Sequence, residues 1–201
     1  MSIEIRADDH RSLVEYAAVS IAFEVRHVLT VETARSRSSP LQSRPVAAPY
    51  VKDYDAALGN HPREWSRCFD VRRALFLVAL RDQRRVGGAV LIVAPDDVRR
   101  LGGSSDSALL WDLRVAPEFR RQGVGRCLLN AVESLARALH IDGICVETQD
   151  VNVGACCLYH SAGYELTEIT SAAYPDLPHE TRLIWTKSFH LRSSRHPANE
   201  R

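Results

Sequence analysis

Arg120-Arg121-Gln122-Gly123-Val124-Gly125 stands between two stretches of different hydrophobic period, and its reading decides the fold. Ahead of it, residues 108–115 read as a strand that stops at Ala116-Pro117. Behind it, Val124, Leu128, Val132, Leu135, Ala136 and Leu139 recur on one face of a helix. Two glycines at such a junction permit a tight loop whose backbone N–H groups turn inward. Joined to the free N–H groups at the helix start, they form a cradle suited to a pyrophosphate. The competing reading is a dinucleotide-binding turn, since Glu147 lies 24 residues after Gly123, near a strand end. Three features oppose it. Leu128 occupies the place of the third glycine, Pro117 and several further residues separate the strand from Gly123, and antiparallel-looking strands precede the unit.

Downstream, residues 144–148 read as a short strand, and Asn152-Val153-Gly154-Ala155-Cys156-Cys157-Leu158-Tyr159 as a helix closed by Ala162-Gly163-Tyr164. Asn152 suits the N-cap, Gly163 suits the C-terminal cap, and Ala155 and Tyr159 share a face. By itself this is a capped helix with a packed tyrosine. Residues 164–170 and 183–189 complete the pattern as two strands around Tyr174-Pro175-Asp176-Leu177-Pro178.

Upstream, residues 74–80 and 86–93 read as a hairpin turning at Asp82-Gln83-Arg84. Residues 95–107 read as a loop tipped by Gly102-Gly103-Ser104-Ser105. Asn60-His61-Pro62 marks a helix entry with Trp65 on the inner face. Val19, Ile21, Phe23, Val25, Leu29 and Val31 alternate, broken only at His27, and predict one long strand over 19–31. Residues 33–50, rich in Ser, Arg and Pro, predict a loop, and residues 190–201 a frayed tail.

The chain has 201 residues, enough for one domain with a sizeable core, and 45% of them are apolar. Lys and Arg number 26 against 25 Asp and Glu, a formal net charge of +1, which gives no electrostatic reason to expect nucleic acid or an anionic membrane as partner. Met1 to His10 is charged and carries no apolar h-region, so no secretory leader is expected, and no stretch is long enough to span a bilayer. Five cysteines without Cys-x-x-Cys spacing predict reduced thiols in a cytoplasm and no zinc site. The adjacent Cys156 and Cys157 read as packed side chains, with a redox pair as the alternative.

Taken together and in order, the two glycine- and asparagine-led constellations resemble the GNAT superfamily of N-acetyltransferases. The family pattern Q/R-x-x-G-x-G/A is matched by Arg120, Gly123 and Gly125; the later Asn-x-x-Ala-x-x-x-Tyr with Gly-aromatic is matched by Asn152, Ala155, Tyr159, Gly163 and Tyr164. Within the family, Leu113-Arg114-Val115 with Glu147-Thr148-Gln149 looks most like the streptothricin and small-amine acetyltransferases. The resemblance implies a single α/β domain over residues 1–189. Its central mixed, mostly antiparallel sheet of six or seven strands would be flanked by helices on both faces. Residues 1–73 would shape the acceptor side and residues 74–189 would bind acetyl-CoA. A homodimer, the acyl chain length and the acceptor amine are left open.

The resemblance also assigns roles. Leu113, Arg114 and Val115 would meet the pantetheine arm and thioester, Arg120, Arg121, Gln122, Gly123, Val124, Gly125 and Arg126 the pyrophosphate, and Asn152 the pantetheine arm. Tyr159 would be the general acid, since a phenol of pKa about 10 keeps its proton at neutral pH. Glu147 and Asp112 are both candidates for the base. Neighbouring strand residues face opposite ways, so Asp112 and Leu113 are not both expected to point into the cleft. Asp53 and Asp55, in the polar segment over the acceptor site, are candidates to meet a small cationic amine. Two alternatives differ in acceptor or class: a protein N-terminal or lysine acetyltransferase, and a non-catalytic acyl-CoA-binding module.

Overall fold

The computed structural model describes residues 2–35, 40–57, 59–93 and 107–189. Nine strands occur among them: β1 (Glu4–Asp8), β2 (Phe23–Leu29), β3 (Ser43–Lys52), β4 (Leu75–Arg81), β5 (Arg84–Ile92), β6 (Ser107–Val115), β7 (Gly143–Gln149), β8 (Glu165–Thr170) and β9 (Arg182–Ser188). Seven form one sheet in the order β1-β4-β5-β6-β7-β9-β8, and β2 pairs with β3 as a separate ribbon. Within the large sheet only β6 and β7 run parallel, so the sheet is mixed and mostly antiparallel.

The β4–β5 hairpin closes on Asp82 (φ 50°) and Gln83 (φ 63°), both left-handed, the backbone a two-residue turn needs to follow the strand twist. Strand alternation then sends β4 side chains to two cores. Leu77 and Ala79 join Ala89, Leu91 and the apolar face of α2 (Val124–Ala138), where Val124, Leu128, Leu129, Val132 and Ala136 are buried. Phe76 and Val90 face the other way, onto Tyr16 of α1 (Leu13–Ala17) and onto Trp65. Helix α3 (Val153–Ser161) joins α2 on the first face, and Asn152 caps it by accepting from Ala155 N–H at 3.1 Å.

The structure departs from the sequence reading before residue 74. The strand expected over 19–31 is only Phe23–Leu29, and residues Val31–Arg35 form a 3₁₀ turn. The break in alternation at His27 is a register shift against β3. The loop expected over 33–50 contains β3, whose side chains are mostly exposed, so no alternation marks it. Its prolines 45 and 49 are tolerated because a two-stranded ribbon has free edges. β1 and α1 lie in a segment that carried no assignment. Pro62–Arg67 is a 3₁₀ helix capped by His61, with Trp65 buried as expected. Most of the expected loop over 95–107, residues 36–39 of the other loop and the tail 190–201 lie outside the described residues. Among those described, no helix is long and apolar enough to cross a membrane.

Candidate active site

Strands β6 and β7 share ladder pairs only at Ser107–Gly143, Ala108–Ile144 and Leu109–Cys145, then separate. The backbone from Leu110 onward therefore pairs with β5 on one side and faces a gap on the other. A cavity of about 660 Å³ opens in this gap. On β6 the register against β5 shifts between Val90 and Leu91, so Trp111 is an extra residue. Trp111 and Asp112 consequently share the face of Tyr16 and Trp65, while Leu113 turns toward α2. The expected exclusion of Asp112 or Leu113 from the cleft does not hold. They do face opposite ways, but the gap passes through the sheet, and both line it.

Residues 120–126, expected to hold the pyrophosphate, lead into the first turn of α2. Gly123, at φ 88°, occupies the N-cap position of α2 and contributes no capping side chain. No acidic residue stands in the first turn, so the N–H groups at the head of α2 are open to an anion. Nothing lies within 4 Å of a Cβ built at Gly123, so that position needs glycine for its backbone angle. At Gly125 a Cβ would meet Leu158 of α3 at 3.4 Å and Leu113 and Val115 of β6 at 3.8 Å. Val124 is buried in the core, and Arg121 is exposed with φ 60°. Gln122 accepts from Arg81 at 2.5 Å and donates to Glu118 O at 2.8 Å.

Two expected phosphate ligands are engaged elsewhere. The Arg120 guanidinium donates to the carbonyls of Val115, Ala22 and Ser20 at 2.9, 2.7 and 3.1 Å, fastening the segment before β2 to the end of β6. Arg126 donates to Ser161 Oγ and ties α2 to α3. The Asn152 cap uses Oδ1, and the residue lines the cavity. Beside it the Tyr54 hydroxyl is buried near Thr148 and Asn152 without a well-formed hydrogen bond, an orphan that a ligand amide could satisfy. The Tyr159 ring packs on Tyr164 at 5.7 Å between centroids and lines the cavity; burial holds its phenol well above the ordinary tyrosine range.

On the opposite face an ion network closes the cavity floor. The Arg114 side chain, 0% exposed, forks onto Asp55 at 2.9 and 3.0 Å and onto Asp112 at 2.9 Å. Tyr16 donates to Asp112 Oδ1 at 2.6 Å, and the guanidinium lies over the Tyr16 ring at 4.9 Å. Arg114 thus turns its side chain away from the groove expected to hold the pantetheine arm. Asp55 lines the cavity with both oxygens already held, and Asp53 caps the turn Tyr54–Ala56 by accepting from Asp55 N–H. Glu147, on the face of Cys145, accepts at Oε1 from the Tyr174 hydroxyl at 2.7 Å.

Sequence reasoning missed Tyr16, Tyr54 and Tyr174, which reach the site only through distant pairings. The five cysteines are free. Burial raises the Cys145 thiol to about 11 and lifts Cys156 as well, which keeps both protonated near neutral pH. Among the described residues, no group of three or more His, Cys, Asp and Glu side chains is placed to hold a metal.

Comparison with known proteins bears on the family and the fold. Residues 42–164 match the model of the acetyltransferase (GNAT) family. Streptothricin acetyltransferase of Escherichia coli is 30% identical over 166 residues, covering 81% of this chain and 83% of that protein. Streptothricin acetyltransferase A of Bacillus subtilis is 32% identical over 84 residues, 41% of this chain, and the match spans about half (49%) of the relative's length. Among solved structures, a Bacillus anthracis protein provisionally assigned as a streptothricin acetyltransferase, in complex with acetyl coenzyme A, superimposes with a TM-score of 0.71. It is 23% identical, and the match covers 94% of this chain and 100% of that one. The chain belongs to the acetyltransferase (GNAT) family, whose members use acetyl-CoA as acyl donor.

Proposed function

We propose that the protein transfers an acetyl group from acetyl-CoA to the primary amine of a small cationic molecule, by direct attack in a ternary complex. The through-sheet gap carries this reading. Leu113 and Tyr159 line its cavity from one face of the sheet and Glu147 from the other, which supports a thioester and an amine meeting there. Acetyl-CoA, when bound, supplies the activated acyl group. Gly123, Gly125 and the head of α2 hold its phosphates, with Leu113, Val115 and Asn152 along the arm. Glu147 takes a proton from the amine, directly or through water, and Tyr159 returns one to the thiolate. Asp112 lines the same cavity, but Arg114 and Tyr16 already hold both of its oxygens. Residues 1–73 form the acceptor side in this reading, and residues 74–189 the acetyl-CoA side.

The charges favour a cationic acceptor. Asp55, Asp112 and Glu147 are three carboxylates against the two guanidinium groups of Arg67 and Arg114, one net negative charge at this end. Streptothricin-type amines come first because of the named relatives. CoA thiol release should be measured on streptothricin-type amines, polyamines, aminoglycosides and peptides, and the small cationic amines are expected to turn over fastest. Glu147→Gln should raise KM for the amine more than for acetyl-CoA. If peptides or neutral amines lead the panel, the acceptor assignment fails.

Gly125→Val tests the cradle separately. Its γ-carbons must find room among Leu113, Val115 and Leu158 beside the first turn of α2, and CoA affinity is expected to fall by about tenfold or more, roughly 1.4 kcal/mol. Calorimetry on the folded variant reads this directly; wild-type affinity would mean that the ligand runs elsewhere.

A further inference from the structure

The β8–β9 connection holds the one phenol that touches the carboxylate assigned above as base. Leu177 N–H bonds to Tyr174 O and Glu180 N–H to Leu177 O, both at 3.0 Å, making two successive turns. Pro175 and Pro178 stand second in these turns, where their fixed φ favours the bend. The far end is anchored as well. Glu180 receives Lys52 Nζ at 2.6 and 2.8 Å, with side chains only 6% and 12% exposed. Tyr174 is thus delivered by a connection stiffened within and fixed to the β2–β3 ribbon.

We infer that Tyr174 is a positioning residue for the acetyl transfer. Its hydroxyl holds Oε1 of Glu147 and leaves Oε2 to meet the acceptor amine or an intervening water. This rests on the assignment of Glu147 as base. A carboxylate on a long side chain has several rotamers, and a fixed donor on one oxygen selects among them while stabilising the charged form. Burial, then the carboxylate beside it, hold the Tyr174 phenol above the ordinary tyrosine range, so it remains a donor through neutral pH. The other titratable or charged groups facing the cavity are Tyr54, Asp55, Arg67, Cys68, Asp112 and Tyr159. Asp55 and Asp112 already share Arg114.

The test is the pH profile of kcat/KM for the best acceptor in Tyr174→Phe, Glu147→Gln and the double variant. Tyr174→Phe is expected to lower kcat/KM for the amine about 10- to 150-fold, the range for one hydrogen bond to a charged group at about 1.5–3 kcal/mol. Its acid limb should move to higher pH, because a donor to the carboxylate is lost. CoA binding should stay unchanged, and the substitution should cost nothing further in the Glu147→Gln background. Tyr174→His, which keeps a donor, should recover part of the rate and serves if the phenylalanine variant does not fold. An unmoved limb in Tyr174→Phe, with Glu147→Gln losing it, overturns the role of Tyr174 alone. A Glu147→Gln enzyme with the wild-type profile overturns the base assignment, and the positioning role falls with it.

Discussion

Tyr159→Phe is expected to lower kcat by about 10²-fold or more, the scale of one positioned general acid, with affinity for acetyl-CoA nearly unchanged. The phenyl ring fills the same buried site and keeps its packing on Tyr164. Only the proton donor goes. The sign of the pH dependence follows from burial. A phenol held above its ordinary value stays protonated further into the alkaline range, so loss of this acid should not limit the wild-type rate below about pH 10. Single-turnover kinetics on the phenylalanine variant separate the chemical step from binding. An unchanged rate with a good acceptor would remove Tyr159 from the mechanism and leave water as the acid.

Arg114→Met should have the largest effect on stability. It removes the buried cation that two half-buried carboxylates share and takes from the Tyr16 ring the charge above it. Stripping one partner from such a network costs about 3–5 kcal/mol, because the remaining charges stay desolvated. For a chain of this length that corresponds to a melting temperature lower by roughly 10 °C. Adding Asp55→Asn and Asp112→Asn should recover part of the loss by removing the stranded charges. Urea unfolding of the single and triple variants measures both effects. A single variant within about 1 kcal/mol of wild type would show that water already screens the network.

The two halves of the site were not equally readable. The half proposed for the cofactor is local in sequence: β6, the glycine turn and α2 follow one another, and Asn152 caps the helix that carries Tyr159. Their period and cap chemistry are intrinsic to short windows. The acceptor half is assembled across distance. Tyr16 meets Asp112 across 96 positions and Lys52 meets Glu180 across 128, and no local pattern encodes either pairing. β3 reads as loop because a strand exposed along most of its length has no apolar face to alternate with. The bulge at Trp111, which puts Asp112 on the face of Trp111, is a property of the β5–β6 register. That register also makes the network around Arg114 possible, and neither was visible in the run of residues.

The short ladder between β6 and β7 also has a mechanical meaning. Strands β1, β4, β5 and β6 form one plate and β7, β9 and β8 another, and among the described residues three consecutive ladder pairs at one end are their strand-to-strand seam. The stiffness of the joint therefore resides in what spans the open end. α2 lies mainly against the first plate, while Arg126, reaching from α2 to Ser161, is a brace. A ligand arm laid between the two lips would act as a rivet. Its hydrogen bonds would count twice, once as affinity and once as rigidity of the joint, so occupancy would raise resistance to unfolding by mass action and concentrate the stiffening at the seam.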